Sequence, residues 1–362
     1  MSQTQSILEY KCPCCGAGLA FSGKDQQLSC ASCGNSFQTE DVKQYNEAIL
    51  EQFDDSFQWD QTQTQIMNDD ESQQVISYTC PSCGGEIMGE MVTAATFCPY
   101  CDSPAIIGSN VSGALRPDAV IPFKTTKEAA MEAFAKLCKG KPLLPKDYAS
   151  AARQEKIQGI YVPFWLYDCN GSIHGRYKAT RVHTWSDANY IYTRTSHYLL
   201  MRKADAAFQQ IPLDASVKMD DATMESIEPF SMNDAVDFNT AYLSGFFADK
   251  YDVEAKEGEP RIRQRVGETF DDLLSPTFIG YNSVIPTSKH IHVDHTKAKY
   301  VLLPVWMLHT SYKGKTYVYA MNGQTGKMTG TLPIDKGRMF AWFFGITAAV
   351  SVLASIVLLL CM

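Results

Sequence analysis

Eight cysteines near the N-terminus have the types and the spacing needed to bind metal ions. They form two quartets, each made of two CxxC pairs with fourteen residues between the pairs. Every cysteine of the second quartet lies 68 positions after its counterpart in the first. Four thiolates in two pairs suit the tetrahedral coordination of zinc, so the sequence predicts two structural Zn²⁺ ions, one in each of two zinc ribbons. The predicted ligands are Cys12, Cys15, Cys30, Cys33, Cys80, Cys83, Cys98 and Cys101.

A site closed by four sulfur atoms is structural, because it leaves no position for an activated water molecule. Cys14 lies between two of the predicted ligands, where the second repeat has Ser82, and we interpret it as a non-ligand. A redox-active CxxC motif is the alternative interpretation of the first quartet. Two matched quartets do not suit a single thioredoxin-like motif, so zinc is the favoured prediction.

The C-terminal segment 339–361 predicts a single transmembrane helix. No charged side chain occurs from Met339 to Met362, and about 20 apolar residues are enough to cross a bilayer as a helix. Lys336 and Arg338 precede the segment, so the positive-inside rule keeps the bulk of the chain in the cytoplasm. We therefore expect a single-pass, tail-anchored protein of the cell membrane. The polar N-terminus predicts no secretory signal, which agrees with reduced, metal-binding cysteines.

The charge distribution disfavours nucleic acid as a partner of the N-terminal half. No Lys or Arg occurs between Lys43 and Arg116, whereas Asp and Glu occur eleven times there. Acidic surfaces repel phosphate backbones, since affinity for nucleic acid comes mainly from basic side chains. We interpret 41–76 as a partly ordered acidic linker. A partner-binding acidic and aromatic segment, with Phe53, Phe57 and Trp59, is the alternative.

The predicted fold class is α+β: two tandem N-terminal zinc ribbons (8–40 and 77–108), a mixed β-rich domain with a helical insertion (118–335), and the C-terminal helix. Within 118–335, Thr125 and Glu128 predict a capping box, Asn170-Gly171 predicts a hairpin turn, and 239–251 looks helical. The segments Tyr161–Leu166 (YVPFWL) and Leu302–Met307 (LLPVWM) resemble each other. They indicate either two related β units or chance similarity between apolar strands.

Catalytic motifs are absent from the sequence. There is no GxxxxGK[ST], no HExxH and no GxSxG motif, and the GQTGK segment at 323–327 is typical of a turn. His290, His292 and His295 form one histidine cluster, which we interpret as a solvated strand rather than a metal or catalytic site. Cys138 and Cys169 are predicted to pack as small hydrophobic residues. We expect no enzymatic activity and no small-molecule substrate.

The order of several motifs resembles the YdjG-like bacterial family of tail-anchored zinc-ribbon proteins. The resemblance covers nearly the whole chain and includes departures at Cys14 and Asp102, neither of which affects the predicted ligands. The motifs are the paired CPxCG ribbons, VIPFK at 120–124, GIYVPFW at 159–165, YLSGF at 242–246 with Tyr251-Asp252, PVW at 304–306, NGQTG at 322–326 and the terminal span. Members of the family are often described as TFIIB-type zinc-ribbon proteins.

The resemblance implies a role in the membrane-stress response. The expected function is a non-enzymatic scaffold that recruits an SPFH (flotillin-like) protein, and with it a PspA-like protein, to the cytoplasmic face of the membrane. Its C-terminal helix would contact membrane lipid. One alternative function is a nucleic-acid-binding regulator or replication-associated protein tethered to the membrane, and this function needs a basic surface. The other alternative is an enzyme that uses the histidine cluster. The partner, the oligomeric state and the signal are not predicted.

Overall fold

The protein has a mixed α+β fold, as the sequence predicts. The computed structural model describes residues 10–50, 55–60, 65–90, 98–101, 103, 107–110, 115–145, 148, 150 and 156–361. The helices in these ranges are α1 (Thr39–Leu50), α2 (Asp69–Gln74), α3 (Lys127–Cys138), α4 (Asp221–Ile227), α5 (Glu259–Leu274) and α6 (Lys336–Cys361). Short 3-10 helices occupy Met232–Asp234, Thr240–Leu243, Ala255–Gly258 and Ser275–Phe278.

Three of the strands are unusually long and account for most of the sheet. They are β9 (Gln158–Ser186), β10 (Ile191–Asp214) and β13 (Ser283–Tyr312). The other strands are β1 (Ala20–Ser22), β2 (Gln27–Ser29), β3 (Ser36–Phe37), β4 (Phe57–Trp59), β5 (Val75–Thr79), β6 (Glu86–Glu90), β7 (Ile107–Asn110), β8 (Ala119–Val120), β11 (Val236–Asp237), β12 (Phe247–Asp249), β14 (Lys315–Asn322) and β15 (Met328–Gly330).

The chain divides into two compact units. Unit 1 comprises Met1–Gln61, Asp168–Gln209 and Glu259–Lys297, and unit 2 comprises Thr62–Tyr167, Gln210–Gly258 and Ala298–Met362. The long strands therefore contribute residues to both units. The predicted linker 41–76 contains most of α1, all of β4 and all of α2.

Unit 1 contains the antiparallel sheet β1-β2-β3 and a layer in which α5 packs on β9 and β10. Ile262, Val266, Phe270 and Leu274 recur every four residues on α5 and are all buried, because this spacing places them on one face of a helix. The strand β4 pairs in parallel with β13, and Arg263 lies 5.5 Å above the ring of Phe57.

One predicted hairpin in unit 1 is wrong. Asn170 and Gly171 lie within the continuous strand β9, and the β9–β10 turn is at 187–190. The glycine serves a different purpose, because a Cβ atom at Gly171 would lie 2.9 Å from the ring of Phe208 and 3.1 Å from that of Phe270. Close packing of the helix against the strand, and not a turn, explains this glycine.

Unit 2 contains one large sheet with strand order β11-β8-β13-β9-β12-β6-β5-β7, extended by the β13–β14 and β14–β15 pairs. Its core is formed by apolar residues of β9 and β13 together with those of α4. A second cluster packs α3 against Trp306, Leu308 and Tyr319. Cys138 lies in this cluster, and Cys169, which belongs to unit 1, is also buried. Both therefore pack as small hydrophobic residues, as predicted.

The two similar segments of β9 and β13 hold equivalent positions in the sheet. A short parallel strand pairs with each: β12 at Ile160 and Tyr161, and β8 at Val301 and Leu302. The indole N–H of Trp165 donates to the carbonyl of Val253 (2.8 Å), five residues after the pairing residue of β12.

The second tryptophan makes the matching hydrogen bond. The indole of Trp306 donates to the Thr125 hydroxyl (3.0 Å), which lies five residues after the pairing residue of β8. The two segments thus share their register positions and a tryptophan hydrogen bond to the segment that follows the paired strand, and the hypothesis of two related β units stays a prediction.

Two local predictions in unit 2 need correction. The N-cap of α3 is Thr126, whose side chain accepts from the backbone N–H of Ala129, because the hydroxyl of Thr125 donates to the carbonyl of Gly323 instead. The segment 239–251 forms a single 3-10 turn and the strand β12 rather than a helix, since the chain pairs with β6 and β9 there.

Candidate metal centres

The first cysteine quartet is assembled in unit 1 by the two loops that flank β1 and β2. The Sγ atoms of Cys12 and Cys33 lie 3.6 Å apart, and those of Cys15 and Cys30 lie 3.5 Å apart. All four Sγ atoms lie within 4.8 Å of one another. The first cysteine of each pair is buried and the second is exposed.

The second quartet has the same geometry in unit 2. The Sγ atoms of Cys80 and Cys101 are 3.7 Å apart, and those of Cys83 and Cys98 are 3.6 Å apart. The same alternation of buried and exposed cysteines recurs. The structure therefore brings together all eight predicted ligands, in the two predicted groups.

Backbone hydrogen bonds explain why each CxxC pair forms a tight turn. The N–H of Cys12 donates to the carbonyl five residues later, and the N–H of Gly16 donates back to the carbonyl of Cys12 (2.7 and 2.8 Å). The pairs that begin at Cys30 and Cys80 repeat both hydrogen bonds, and the pair at Cys98 repeats the first. The turn glycine has a φ of 69° to 79° in the first three pairs, a conformation that favours glycine. Asp102 occupies this position in the fourth pair and lies outside the described residues.

The quartets fit a tetrahedral metal ion held by thiolates. With Zn–S bonds of about 2.3 Å, the sulfur atoms of a tetrahedral site are about 3.8 Å apart. The four short Sγ–Sγ distances, 3.5–3.7 Å, are close to this value and far from the ~2.05 Å of a disulfide. Two clusters of four cysteines that could each hold one metal ion are thus a property of this structure.

Local hydrogen bonds favour the thiolate, which is the form that binds metal, at Cys33 and Cys80, whereas burial raises the pKa of Cys98 and of Cys101. The backbone N–H of Asn35 lowers the pKa of Cys33 to about 6, and the Asn35 amide, 3.3 Å from Sγ, adds to the effect. Burial alone would raise the pKa of Cys80, but donation from the backbone of Cys83 and Ser82 outweighs it and lowers that pKa to about 7.

Cys14 differs from its neighbours. It is not a member of the first quartet. Burial raises the pKa of Cys14 to about 11, and the nearby Cys12 adds to the shift; its position outside the group of four close sulfur atoms is what distinguishes it. This agrees with its interpretation as a non-ligand.

The two quartets have different surroundings. Cys80 and Cys98 belong to the apolar core of unit 2, together with Ile87, Tyr100 and Ile121. The first quartet is instead flanked by α1, whose buried Asn46 accepts a hydrogen bond from the backbone N–H of Lys11. We therefore expect loss of the second metal ion to destabilise a larger part of unit 2 than loss of the first metal ion destabilises in unit 1.

The histidine cluster does not form a comparable site. His292 Nδ1 lies 2.9 Å from the hydroxyl of Ser56, and His295 Nδ1 lies 3.5 Å from a carboxylate oxygen of Asp60. Within the described ranges, only the two cysteine quartets bring three or more ligand atoms within 4.8 Å of one another.

The C-terminal helix α6 is the other feature with a clear chemical character. The segment Lys336–Val357 is long and apolar enough to cross a membrane, and none of it is buried within the protein. A helix of 26 residues is about 39 Å long, which exceeds the ~30 Å hydrocarbon core of a bilayer.

Comparison with known proteins gives one extensive match. The uncharacterized protein YdjG of Bacillus subtilis (strain 168) is 39% identical to this chain over 340 residues, which cover 94% of each protein. The chain belongs to the YdjG-like family. No family model matches the sequence, and no solved structure matches it.

In this member of the YdjG-like family, the residues that carried the resemblance have structural roles. Asn322, which begins NGQTG, is buried and donates to the carbonyls of Ile227 and Pro229 (3.0 and 3.2 Å). Its side-chain oxygen accepts from the backbone N–H groups of Gln324 and Thr325 (2.8 and 2.9 Å). The segment is a turn, as predicted, and the hydrogen bonds of Asn322 hold the loop after α4 in place.

Asp249 is a buried ionisable group that sequence inspection missed. It ends β12 with no exposed surface, and neither carboxylate oxygen has a hydrogen-bond partner of normal geometry among the described residues. Burial raises the pKa of Asp249 to about 6, although the nearby Ser216 hydroxyl and the Lys218 ammonium oppose the shift. The sequence gives no signal for this site, because the burial comes from strands that are far apart in the chain.

Proposed function

We propose that this protein is a non-enzymatic scaffold that α6 anchors in the cell membrane and that binds a partner protein at the cytoplasmic face. The observation that carries the proposal is α6, whose apolar surface is wholly exposed. Such a surface requires a nonpolar environment, and a bilayer supplies one over about 30 Å of the helix. Lys336 and Arg338 at its start favour a cytoplasmic location for the folded units.

We further propose that both quartets bind Zn²⁺ and that the ions are structural. Four sulfur ligands fill a tetrahedral site, so the ion would fold each zinc ribbon rather than activate water. Native mass spectrometry of the purified full-length chain tests this proposal. Two zinc ions for each chain are expected, and one ion or none would contradict it.

A recruiting scaffold needs an exposed surface that a partner can bury. The β9–β10 hairpin of unit 1 offers one on the face that carries Trp185, which we call the hairpin surface: Trp185, Tyr190, Tyr192 and Tyr198, all exposed. Trp185 stacks on Tyr192 with ring centroids 5.5 Å apart. Aromatic side chains held in place before binding lose little entropy and are enriched at protein interfaces.

The tip of this hairpin is held by Asp187. Its carboxylate accepts hydrogen bonds from the N–H groups of Asn189 and Tyr190 and from the hydroxyl of Tyr192, each at 2.8 Å. These bonds lower the pKa of Asp187, so the carboxylate stays charged and the turn stays ordered at neutral pH. The partner classes that we assign to this surface, SPFH (flotillin-like) and PspA-like proteins acting in membrane stress, come from the family resemblance.

The anchoring proposal is tested by deleting residues 339–362. The truncated chain is expected in the soluble fraction, and the full-length chain in the membrane fraction. A truncated chain that stays with membranes under high-salt washing would contradict anchoring by α6.

Recruitment is tested separately with purified components. Vesicles that carry the full-length protein are mixed with an SPFH-like or PspA-like protein encoded by the same organism, and co-flotation is measured. The double variant Trp185→Ser with Tyr190→Ser is expected to abolish co-flotation. The matched control is Ile279→Ser with Ile285→Ser, which removes two exposed apolar residues of unit 1 outside the hairpin surface. Equal loss in both variants, or in neither, would contradict the assignment.

A further inference from the structure

An open cleft lies beside the base of α6 in unit 2. Its volume is about 920 Å³, and it is formed by the C-terminal half of α3, the loop that follows, and the first turn of α6. Its basic side chains are Lys136, Lys139, Lys141 and Arg338, and Leu144 contributes an apolar wall. Positive charge beside an apolar wall suits a ligand that is itself anionic at one end and nonpolar at the other.

Hydrogen bonds fasten this cleft to the beginning of α6. The backbone N–H of Asp335 donates to the carbonyl of Leu143 (2.8 Å), and the guanidinium of Arg338 donates to the carbonyls of Pro142 and Leu144. Arg338 is also the last charged residue before the apolar segment. If α6 enters a bilayer at Met339, the cleft lies at the level of the lipid headgroups.

The lysines of the cleft have no acidic partner within ion-pair distance among the residues that the structure describes. None of its residues in the described ranges is acidic, and none of its lysines or Arg338 forms an ion pair there. Asp335 lies at the start of α6, where its carboxylate accepts from the backbone N–H of Arg338 (3.1 Å). The three lysines are exposed, so their ammonium groups can reach a phosphate.

We propose that this cleft binds the phosphate of an anionic phospholipid headgroup, with the glycerol and the beginning of the acyl chains against Leu144. The proposal rests on membrane anchoring by α6. Under this proposal, unit 2 binds anionic lipids in preference to neutral lipids at the membrane surface, in addition to being attached there by α6. Basic side chains next to a membrane-spanning helix attract anionic lipids in this way.

The test uses full-length protein in a neutral detergent. Phosphatidylglycerol or phosphatidylcholine is titrated in, and lipid loading is followed by native mass spectrometry. Phosphatidylglycerol is expected to half-load the protein at a concentration about tenfold or more below that of phosphatidylcholine. Each lysine near the headgroups is expected to contribute about fivefold, so the triple variant K136Q/K139Q/K141Q raises the half-loading concentration on the order of 100-fold.

A matched control removes the same charge elsewhere. The variant K24Q/K43Q/K178Q replaces three exposed lysines of unit 1 and is expected to load phosphatidylglycerol like the wild type. If K136Q/K139Q/K141Q does not fold, the single variants K139Q and K141Q are each expected to show about a fivefold shift. Equal loading of the two lipids, unchanged loading of the cleft variants, or displacement by millimolar inorganic phosphate would overturn the proposal.

Anchoring is measured in parallel, so that the two proposals fail separately. Full-length protein is reconstituted into vesicles of pure phosphatidylcholine and floated on a density gradient. A chain that does not float refutes the anchor. A chain that floats but shows no preference for phosphatidylglycerol refutes only the lipid site.

Discussion

Replacing Asp249 with asparagine removes a buried charge and keeps the shape of the side chain. Burial raises the pKa of Asp249 from its ordinary value of 3.8 to about 6. A pKa difference of one corresponds to about 1.4 kcal/mol, so the charged form destabilises the folded state by about 3 kcal/mol above pH 6. Because the group is fully buried, solvent screens little of this penalty.

The sign of the pH dependence follows from the two pKa values. Below about pH 4 the carboxyl is protonated in both the folded and the unfolded chain, so it imposes no penalty. As the pH rises to about 6, the unfolded chain loses the proton first, and the free energy of unfolding decreases. The asparagine variant lacks this titration. The stability difference, variant minus wild type, is therefore expected to grow by about 1.4 kcal/mol between pH 5 and pH 7.5.

The assay is urea unfolding of the full-length chain in a neutral detergent, followed by tryptophan fluorescence. Trp165 reports on this region because its ring contacts Tyr251 and Tyr300 in the same core. The control is Asp272→Asn, which makes the same substitution at an exposed position of α5. A constant difference for Asp249→Asn, or one that shrinks as the pH rises, would refute the reasoning.

Three further predictions concern the cysteine turns and the NGQTG segment. Cys80→Ser and Cys12→Ser are each expected to leave one bound zinc ion by native mass spectrometry. Cys80→Ser, but not Cys12→Ser, is expected to lower the thermal stability of unit 2, because only Cys80 lies in the apolar core of that unit. Loss of unit 2 stability in Cys12→Ser but not in Cys80→Ser would contradict the different surroundings of the two sites. Gly84→Ala has no neighbouring atom to clash with but requires a φ of 69°, so a loss of about 1–2 kcal/mol is expected, measured as weaker zinc retention against a chelator. Asn322→Ala removes four hydrogen bonds at a fully buried position, so a loss of about 3 kcal/mol is expected in urea unfolding, and a loss below about 1 kcal/mol would argue against the role of this turn.

Local sequence was enough to predict both cysteine quartets. A CxxC turn is closed by hydrogen bonds within six residues, as between Cys80 and Gly85, so its geometry depends little on the rest of the chain. The apolar composition of 339–361 likewise predicted a helix, because the backbone of an apolar segment is satisfied within the segment itself. The buried residues of α5 likewise recur at helical spacing, a pattern that depends only on the local sequence.

Tertiary contacts override several short-range signals. Gly171 follows an asparagine and looks like a turn, yet it lies inside β9, because Phe208 and Phe270 occupy the space where a side chain would be. Thr125 resembles an N-cap, but its hydroxyl donates to Gly323, about two hundred residues away in the chain. In each case a contact between distant segments outweighs a local preference of only about 1 kcal/mol.

The difference between local and tertiary contacts also separates the metal sites of this protein from its buried carboxylate and its basic cleft. The metal ligands are set by spacing along the chain, so they can be identified from the order of the residues alone. The buried carboxylate of Asp249 and the basic cleft beside Arg338 depend on which strands and loops meet in space. Burial and electrostatic potential are properties of the folded surface, so neither site exists until distant segments of the chain have packed together.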